Sequence, residues 1–219
     1  MRNHSVSKQT IRRLPTYLSF LKDVQKKNIK NISAVTIAEA MKLNEVQVRK
    51  DLASVSKGGK PKIGYVIDGL ITELENFLGY DTTDYAVLVG AGNLGSALTG
   101  YKGFDEFGLE IIAAFDNCED VVGKEIRGKP VYPISKLPEV CREHDIKIGI
   151  ITVPGAAAQE VCDELINAGI KAIWNFASVH LSVPEGVLVQ NENMAYSLAA
   201  LSLHLAEQMQ KIEEEKKEK

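Results

Sequence analysis

The chain has 219 residues, of which 45% are hydrophobic and 25% charged, and its formal net charge is −3. This composition is that of a globular protein of one large or two small domains, and the negative charge of the whole chain argues against nucleic-acid binding. No apolar run approaches a membrane helix, no signal peptide opens the chain, and Cys118, Cys141 and Cys162 lack the spacing of a zinc site, so we expect a cytoplasmic protein without a metal.

The charge is divided unevenly along the chain. Residues 1–80 hold 14 Lys and Arg against 7 Asp and Glu, a net charge of +7, whereas residues 81–219 hold 12 against 22, a net charge of −10. A polar stretch at 79–84 separates the two parts. We predict a basic domain at 1–80, an acidic domain at 81–191, and a terminal helix with a charged tail at 192–219. The basic domain alone suits nucleic acid.

The basic part opens with two helical patterns. Apolar residues at steps of three and four predict an amphipathic helix over about 10–26. Its apolar positions are Ile11, Leu14, Leu18, Leu21 and Val24. A second helix is predicted over Ala34–Met41, with Ser33 or Thr36 as its N-cap.

A third helix is predicted over Glu45–Val55, with Asn44 as its N-cap. Its apolar face would hold Val46, Val48, Leu52 and Val55. Two short helices joined by a tight turn, the second of them basic, are typical of a helix-turn-helix that enters the major groove of DNA. We expect Arg49 and Lys50 to contact the phosphate backbone, and Gln47 and Ser54 to contact base edges.

A Gly- and Pro-rich segment with three lysines follows the third helix. We predict that residues 56–67 form a β-hairpin wing, with Lys57, Lys60 and Lys62 against the phosphate backbone. A last helix over 70–78 would close the domain. The alternative is a small helical domain whose basic face is only solvated.

The acidic part opens with a continuous apolar run, Tyr85–Val89, which is typical of a buried parallel strand. The run leads into a GxGxxG sequence, Gly90-Ala91-Gly92-Asn93-Leu94-Gly95, that opens a helix. Gly90 would make the tight turn, Gly92 would admit a pyrophosphate close to the backbone, and Gly95 would let the helix pack closely on the strand. The sequence thus predicts a dinucleotide site.

A second strand, 109–115, ends in Asp116, which lies 26 residues after Gly90. A carboxylate there suits the ribose hydroxyls and favours NAD over NADP, since it would repel a 2′-phosphate. Alternating strands and helices then predict a doubly wound parallel sheet whose ligands lie at its carboxyl edge. We therefore add Thr152-Val153-Pro154 and Asn175-Phe176-Ala177 to the cofactor site. The alternative is a glycine turn that binds no dinucleotide.

Residues for catalysis are scarce in the acidic part. His144 is expected on the surface at a helix end, and His180 is the better acid–base candidate, but no substrate domain accompanies either. We expect a binding protein without catalytic residues, and the alternative is an NAD-dependent oxidoreductase. The final helix, about 193–210, has a broad apolar face that packs either on its own domain or on a second copy. A two-fold dimer would present two recognition helices to a palindromic site.

Together these motifs resemble the redox-sensing transcriptional repressors of the Rex family over nearly the whole chain. The resemblance is carried by Arg49-Lys50-Asp51-Leu52, Gly64-Tyr65, Val89-Gly90-Ala91-Gly92-Asn93-Leu94-Gly95, Ala113-Ala114-Phe115-Asp116, Thr152-Val153-Pro154, Ala168-Gly169-Ile170-Lys171 and Asn175-Phe176-Ala177. It implies a winged-helix domain, a Rossmann domain that senses the NADH/NAD⁺ ratio, and a homodimer with swapped C-terminal helices. It also implies that NADH releases the protein from operator DNA.

Some positions depart from the family pattern. The family couples its domains through a Tyr, which Tyr101 matches, and through an Arg and an Asp, where this chain has Ser19 and Asn193. The recognition helix continues with Ala53-Ser54-Val55-Ser56 where Tyr-Phe-Gly is usual after a small residue, and Pro61-Lys62 replaces Arg and Gly in the wing. A constitutive DNA-binding relative with a weakened redox response therefore stays a second possibility.

Overall fold

The protein is described here by a computed structural model, which covers residues 6–61 and 63–217. The chain forms two compact units. The first contains the chain up to Thr83 together with Asp105–Gly108, and the second contains Asp84–Phe104 together with the chain from Leu109 onward. Within the described ranges, no helix combines the length and the apolar character that crossing a membrane requires.

The described residues of the first unit form a helix-turn-helix with a small sheet. The helices are α1 (Lys8–Gln25), α2 (Ala34–Met41), α3 (Glu45–Val55) and α4 (Ile67–Leu78), and the strands are β1 (Asn31–Ile32) and β2 (Tyr65–Val66). Helices α2 and α3 have the predicted bounds. Ser33 caps α2 by accepting from Thr36 N, and Asn44 caps α3 by accepting from Val46 N and Gln47 N. Local capping chemistry thus fixes both helix starts.

The wing is shorter than the predicted hairpin. Its tip closes through two hydrogen bonds of 2.9 Å between the backbones of Lys60 and Gly64. The following strand β2 pairs antiparallel with β1, which the sequence analysis had missed. The extended segment ends at Val66, because Ile67 already begins α4.

Two residues assigned to buried helix faces are exposed. Ile11 is 44% and Val46 58% exposed, so both assignments were wrong. Ile11 lies at the edge of the α1 stripe, in its first turn. Val46 lies about 160° around α3 from Val48, because two helical steps turn by about 200°. Asp51, and not Val46, is buried on the same face of α3 as Val48 and Leu52.

The second unit is built on a seven-stranded sheet of order β5-β6-β4-β3-β7-β8-β9. Its strands are β3 (Asp84–Val89), β4 (Leu109–Asp116), β5 (Glu125–Ile126), β6 (Lys129–Pro133), β7 (Ile148–Ile151), β8 (Ala172–Asn175) and β9 (Leu188–Asn191). All neighbours pair in parallel except β5 and β6, which are antiparallel. The doubly wound sheet predicted from the sequence is confirmed.

Helices α5 (Asn93–Thr99), α7 (Leu137–Glu143) and α8 (Gly155–Asn167) pack on this sheet, with a 3₁₀ turn at Ile134–Lys136. The short helix α6 (Gly103–Glu106) spans the boundary between the two units, and α9 (Met194–Lys217) follows the last strand. Alternate residues of the central strand enter two cores. Val87 and Val89 pack in one core with residues of α7 and α8, and Ala86 and Leu88 pack in the other. Pro133 ends β6, and the 3₁₀ turn leads from there into α7.

Helix α9 is longer than predicted and leaves its apolar residues uncovered. Eight of its large apolar side chains are at least 40% exposed within this single chain. They are Met194, Tyr196, Leu198, Leu201, Leu203, Leu205, Met209 and Ile212.

Candidate functional site

The glycine loop lies at the carboxyl end of the central strand β3. Gly90 has φ +105°, a conformation that favours glycine, and its N–H donates to the Phe115 carbonyl at 2.8 Å. A Cβ on Gly95 would stand 1.9 Å from the Gly90 oxygen, so only glycine lets α5 pack this closely. A Cβ on Gly92 would meet no atom within 4 Å, which leaves this face of the loop open.

Asp116 is tied directly to this loop. Its Oδ2 accepts from the Ala91 N–H at 2.7 Å, and its Oδ1 accepts from the Cys118 N–H at 2.9 Å. The ends of β3 and β4 are therefore joined by a carboxylate that is only partly buried. The spacing from Gly90 predicts Asp116 near a ribose, but it does not predict the bond of Asp116 to the glycine loop.

Thr152 joins the loop from the other side. Its hydroxyl donates to the carbonyls of Val89, at 3.0 Å, and Gly90, at 2.8 Å. Val153 then packs on the sheet core, and Pro154 is the N-cap of α8. The structure thus brings the ends of β3, β4 and β7 to one edge, where the strand order reverses and ligands of such sheets bind.

The end of β8 completes this edge. Asn175 is fully buried, and its amide is turned inward, since it donates to Val179 O and Asn191 Oδ1 and accepts from Ala177 N. The Phe176 N–H donates to Ile151 O at 2.9 Å, which anchors the residue beside β7. Asn175 therefore shapes the loop that carries Phe176 and Ala177.

In the first unit, a buried carboxylate connects helix α3 to helix α1. Asp51 is 2% exposed. Its Oδ2 accepts from Arg13 Nε at 2.7 Å and from Tyr17 Oη at 2.8 Å. Its Oδ1 accepts from Arg13 Nη2 at 2.9 Å, from Thr10 Oγ1 at 3.0 Å and from Gln47 Nε2 at 2.9 Å. This network was not predicted from the sequence, where its one signal is an Asp within an apolar stripe.

The network changes the ionisation of its members. Burial alone would raise the pKa of the Asp51 carboxyl, but hydrogen bonds from Arg13, Tyr17, Thr10 and Gln47 outweigh burial and hold that pKa below its usual value. Burial first, and then the bond to Asp51, raises the pKa of Tyr17 to about 12. Asp51 is thus an anion whose charge is neutralised by Arg13.

The exposed side of α3 presents cations. Arg49 and Lys50 are exposed, and Arg49 forms an ion pair with Glu45 one turn earlier. Arg49 and Lys60 line one cavity of about 520 Å³ between the start of α2 and the wing. Lys57 is also exposed, whereas Lys62 lies outside the described residues.

The two residues predicted to reach base edges already have partners. Gln47 donates to Asp51, and the Ser54 hydroxyl donates to the Asp51 carbonyl at 2.6 Å. Both residues are nevertheless exposed to solvent. Contact with bases would therefore require that they exchange or share these bonds.

Comparison with known proteins matches both parts of the chain. Residues 81–179 match the family model of the CoA binding domain, and residues 5–53 match that of a putative DNA-binding protein N-terminus. The redox-sensing transcriptional repressor Rex of Treponema denticola is 44% identical over 194 residues, which are 89% of this chain and 92% of that protein. The chain belongs to the Rex family.

Further Rex relatives agree. The Rex repressor of Carboxydothermus hydrogenoformans is 40% identical over 94% of this chain and 99% of its own length. The crystal structure of RSP, in complex with β-NAD⁺ and operator DNA, has 34% identity and a TM-score of 0.87 over 96% of this chain and 97% of RSP. RSP in complex with β-NADH has a TM-score of 0.85 over 96% of this chain and 99% of RSP. The family and the fold expected from the sequence are confirmed.

The residues assigned to the Rex interdomain switch lie in different units. Ser19 is exposed on α1 of the first unit. In the second unit, Tyr101 is 54% exposed and its ring meets that of Phe104 edge to face at 5.0 Å. Asn193 stands before α9, and its Oδ1 accepts from the Tyr196 N–H at 3.1 Å, so its side chain acts as a helix cap.

The two histidines considered for catalysis are placed differently in this Rex protein. His144 caps the end of α7, before β7 begins, so it lies toward the amino edge of the sheet and away from the glycine loop. His180 is exposed in the loop after β8, where it lines a cavity of about 270 Å³ with Ser178 and Glu192.

Proposed function

We propose that this protein is a transcriptional repressor that senses the NADH/NAD⁺ ratio, binding operator DNA with its first unit and NAD(H) with its second. The observation that carries the proposal is its likeness, over nearly the whole chain, to RSP, which was solved with operator DNA and NAD⁺ and also with NADH. NADH binding releases the protein from DNA. A ligand can do this only by binding more tightly to the conformation that leaves DNA.

On the DNA side, we assign the phosphate contacts to Arg49, Lys50, Lys57, Lys60 and Lys62. The exposure of the first four supports the assignment, as does the cavity that Arg49 and Lys60 share. Cations on a helix and a wing neutralise phosphates and position the helix in the groove. Gln47 and Ser54 then contact base edges.

On the nucleotide side, we assign the pyrophosphate to the glycine loop, Gly90-Ala91-Gly92-Asn93-Leu94-Gly95, and the ribose hydroxyls to Asp116. The open space above Gly92 supports the first assignment, and the partly exposed carboxylate supports the second. Thr152-Val153-Pro154 and Asn175-Phe176-Ala177 flank the rest of the cofactor. Thr152 and Asn175 act largely by holding the loops, because their side chains bond to backbone atoms there.

We assign α9 to a homodimer interface that contains a second copy of the chain. The exposed apolar residues include a stripe from Met194 to Met209, and Tyr196 and Leu203 lie on the opposite side of the helix. A helix that is apolar on several sides is normally buried all round. A swapped helix inserted into a partner subunit satisfies that condition, and a two-fold dimer fits a palindromic operator.

The protein would act without catalysis and in the cytoplasm, where operator DNA is accessible. In this proposal neither His144 nor His180 takes part in a reaction. Tyr101, Ser19 and Asn193 occupy the interdomain switch positions, with a tyrosine and two uncharged residues. A constitutive repressor is the second candidate, because Ser19 and Asn193 cannot form an ion pair.

Titration of a labelled operator duplex, the one bound by RSP, tests the sensing function by fluorescence anisotropy. Saturating NADH should raise the Kd for DNA at least about tenfold, whereas NAD⁺ should change it less than about twofold. An NADH-independent Kd would favour the constitutive candidate.

Arg49→Ala should weaken DNA binding about tenfold or more without nucleotide, since a hydrogen bond to a charged group is worth roughly 1.5–3 kcal/mol. Lys171→Ala, at an exposed lysine of the second unit, is the matched control and should bind DNA like the wild type. The same anisotropy titration measures both variants.

Asp116→Ala should weaken NADH binding by about tenfold or more, because it removes a charged acceptor worth roughly 1.5–3 kcal/mol. It should also reduce the preference for NADH over NADPH, since the repulsion of a 2′-phosphate disappears. Titration by NADH fluorescence and by competition with NADPH measures both effects. Asp120→Ala, an exposed carboxylate in the same loop, should bind like the wild type. Unchanged affinities in Asp116→Ala would exclude the ribose assignment.

A further inference from the structure

Glu192 attaches the start of helix α9 to strand β8 through both its side chain and its backbone. Its side chain accepts from the Trp174 indole N–H, with Nε1 and Oε1 2.9 Å apart. Its own backbone N–H donates to the Asn175 carbonyl at 2.8 Å. Glu192 is partly buried and stands two residues before Met194, the first residue of α9. Side chain and main chain thus both attach this residue to β8.

Trp174 in turn contacts the edge of the sheet that holds the glycine loop. Its ring centroid lies 5.0 Å from that of Phe176, which follows β8 at the carboxyl edge. The Trp174 ring centroid also lies 5.6 Å from that of Phe104, whose ring in turn lies 5.0 Å from that of Tyr101. All four rings belong to the second unit. Trp174 therefore touches the proposed cofactor edge and the start of α9 at once.

We propose that Glu192 is a positioning residue whose bond to Trp174 carries nucleotide-induced movement at Phe176 to the start of α9. The inference rests on the proposed function, in which α9 belongs to the dimer and NADH changes the affinity for DNA. A packed ring with one fixed hydrogen bond transmits displacement, because packed side chains have few alternative arrangements. Without an acceptor on Glu192, the segment before α9 loses its bond to the Trp174 ring and keeps the Glu192 backbone bond and the pairing of β9 with β8.

Two substitutions separate the hydrogen bond from the shape of the side chain. Glu192→Met keeps an unbranched side chain but has no strong acceptor for the indole N–H. Glu192→Gln keeps an acceptor oxygen and loses only the charge. Trp174→Phe keeps an aromatic ring and loses the donor, and so tests the same bond from the other partner. Glu185→Met, at an exposed glutamate in the turn before β9, is the matched control.

The first measurement uses the full chain without nucleotide. Hydrogen exchange over residues 192–198 should be at least about tenfold faster in Glu192→Met and Trp174→Phe, and close to wild type in Glu192→Gln and Glu185→Met. Trp174 is the only tryptophan of the chain, so its emission spectrum should also shift in Glu192→Met and not in Glu185→Met. Equal exchange rates in Glu192→Met and the wild type would overturn the attachment.

The second measurement is the factor by which saturating NADH raises the Kd for operator DNA. Glu192→Met and Trp174→Phe should reduce this factor at least about fivefold, while the Kd for NADH and the nucleotide-free Kd for DNA stay within about twofold of wild type. Glu192→Gln should restore the factor. A full NADH effect in Glu192→Met would refute the transmission role. If the wild type itself ignores NADH, the sensing function fails and the transmission role with it, while hydrogen exchange still decides the attachment.

Discussion

Replacing Asp51 by alanine is expected to lower the free energy of unfolding of the first unit by about 3 kcal/mol or more. Removing one partner of a buried ion pair typically costs about 3–5 kcal/mol, because the other partner stays without compensation. Here Arg13, Tyr17, Thr10 and Gln47 would all lose their shared acceptor. Arg13 retains 25% exposure of its side chain and can partly return to water, which places the expected loss toward the lower end.

Urea denaturation of the full chain measures this loss. Circular dichroism follows both units, whereas the emission of Trp174 follows only the second, so the transition of the first unit should move alone. Glu39→Ala, at an exposed carboxylate on α2, is the matched control and should change stability by less than about 0.5 kcal/mol. An Asp51→Ala protein as stable as wild type would mean that the network contributes nothing.

The same carboxylate predicts how the stability of the first unit depends on pH. Its folded pKa lies below the usual value, so its contribution is fully present above the unfolded pKa of about 3.9. The contribution is lost as the pH falls through the lower folded pKa. Between about pH 5 and pH 2, Asp51→Asn, which cannot titrate, should lose less stability than wild type. Urea denaturation at each pH measures this loss.

Introducing charge into α9 is expected to have the largest effect on DNA binding. If α9 forms the proposed dimer, the double substitution of Leu201→Glu and Leu205→Glu should convert that dimer to a monomer and raise the Kd for a palindromic operator about a hundredfold or more. Burying two carboxylates without partners costs several kcal/mol, which the interface cannot recover. A monomer then presents one recognition helix where the dimer presents two.

Sedimentation velocity gives the oligomeric state, and anisotropy with the operator duplex gives the affinity. Gln210→Glu adds charge on another side of α9 from the Leu201–Leu205 stripe and should leave both quantities near wild type. NADH should still bind to the monomer, because the glycine loop and Asp116 come from one chain. A double variant that stays dimeric and binds DNA normally would contradict the role of α9.

Local signals in the sequence located most helices and strands. The N-caps Ser33 and Asn44 lie within three residues of the N–H groups that they bind, so the local sequence was enough to place the starts of α2 and α3. The apolar run before Gly90 likewise placed β3. Strands β1, β5 and β6 were missed, because their hydrogen bonds come from partner strands that no local pattern specifies.

The candidate sites divide in the same way. The sequence by itself located helix α3 with Arg49 and Lys50, the glycine loop and the carboxylate of Asp116, because each depends on residue types at short spacing. Only the tertiary structure decided that Asp51 is the buried acceptor for donors 34 to 41 residues away on α1, and that Glu192 meets Trp174. Such contacts depend on how elements distant in sequence pack together, and no local pattern encodes the partner.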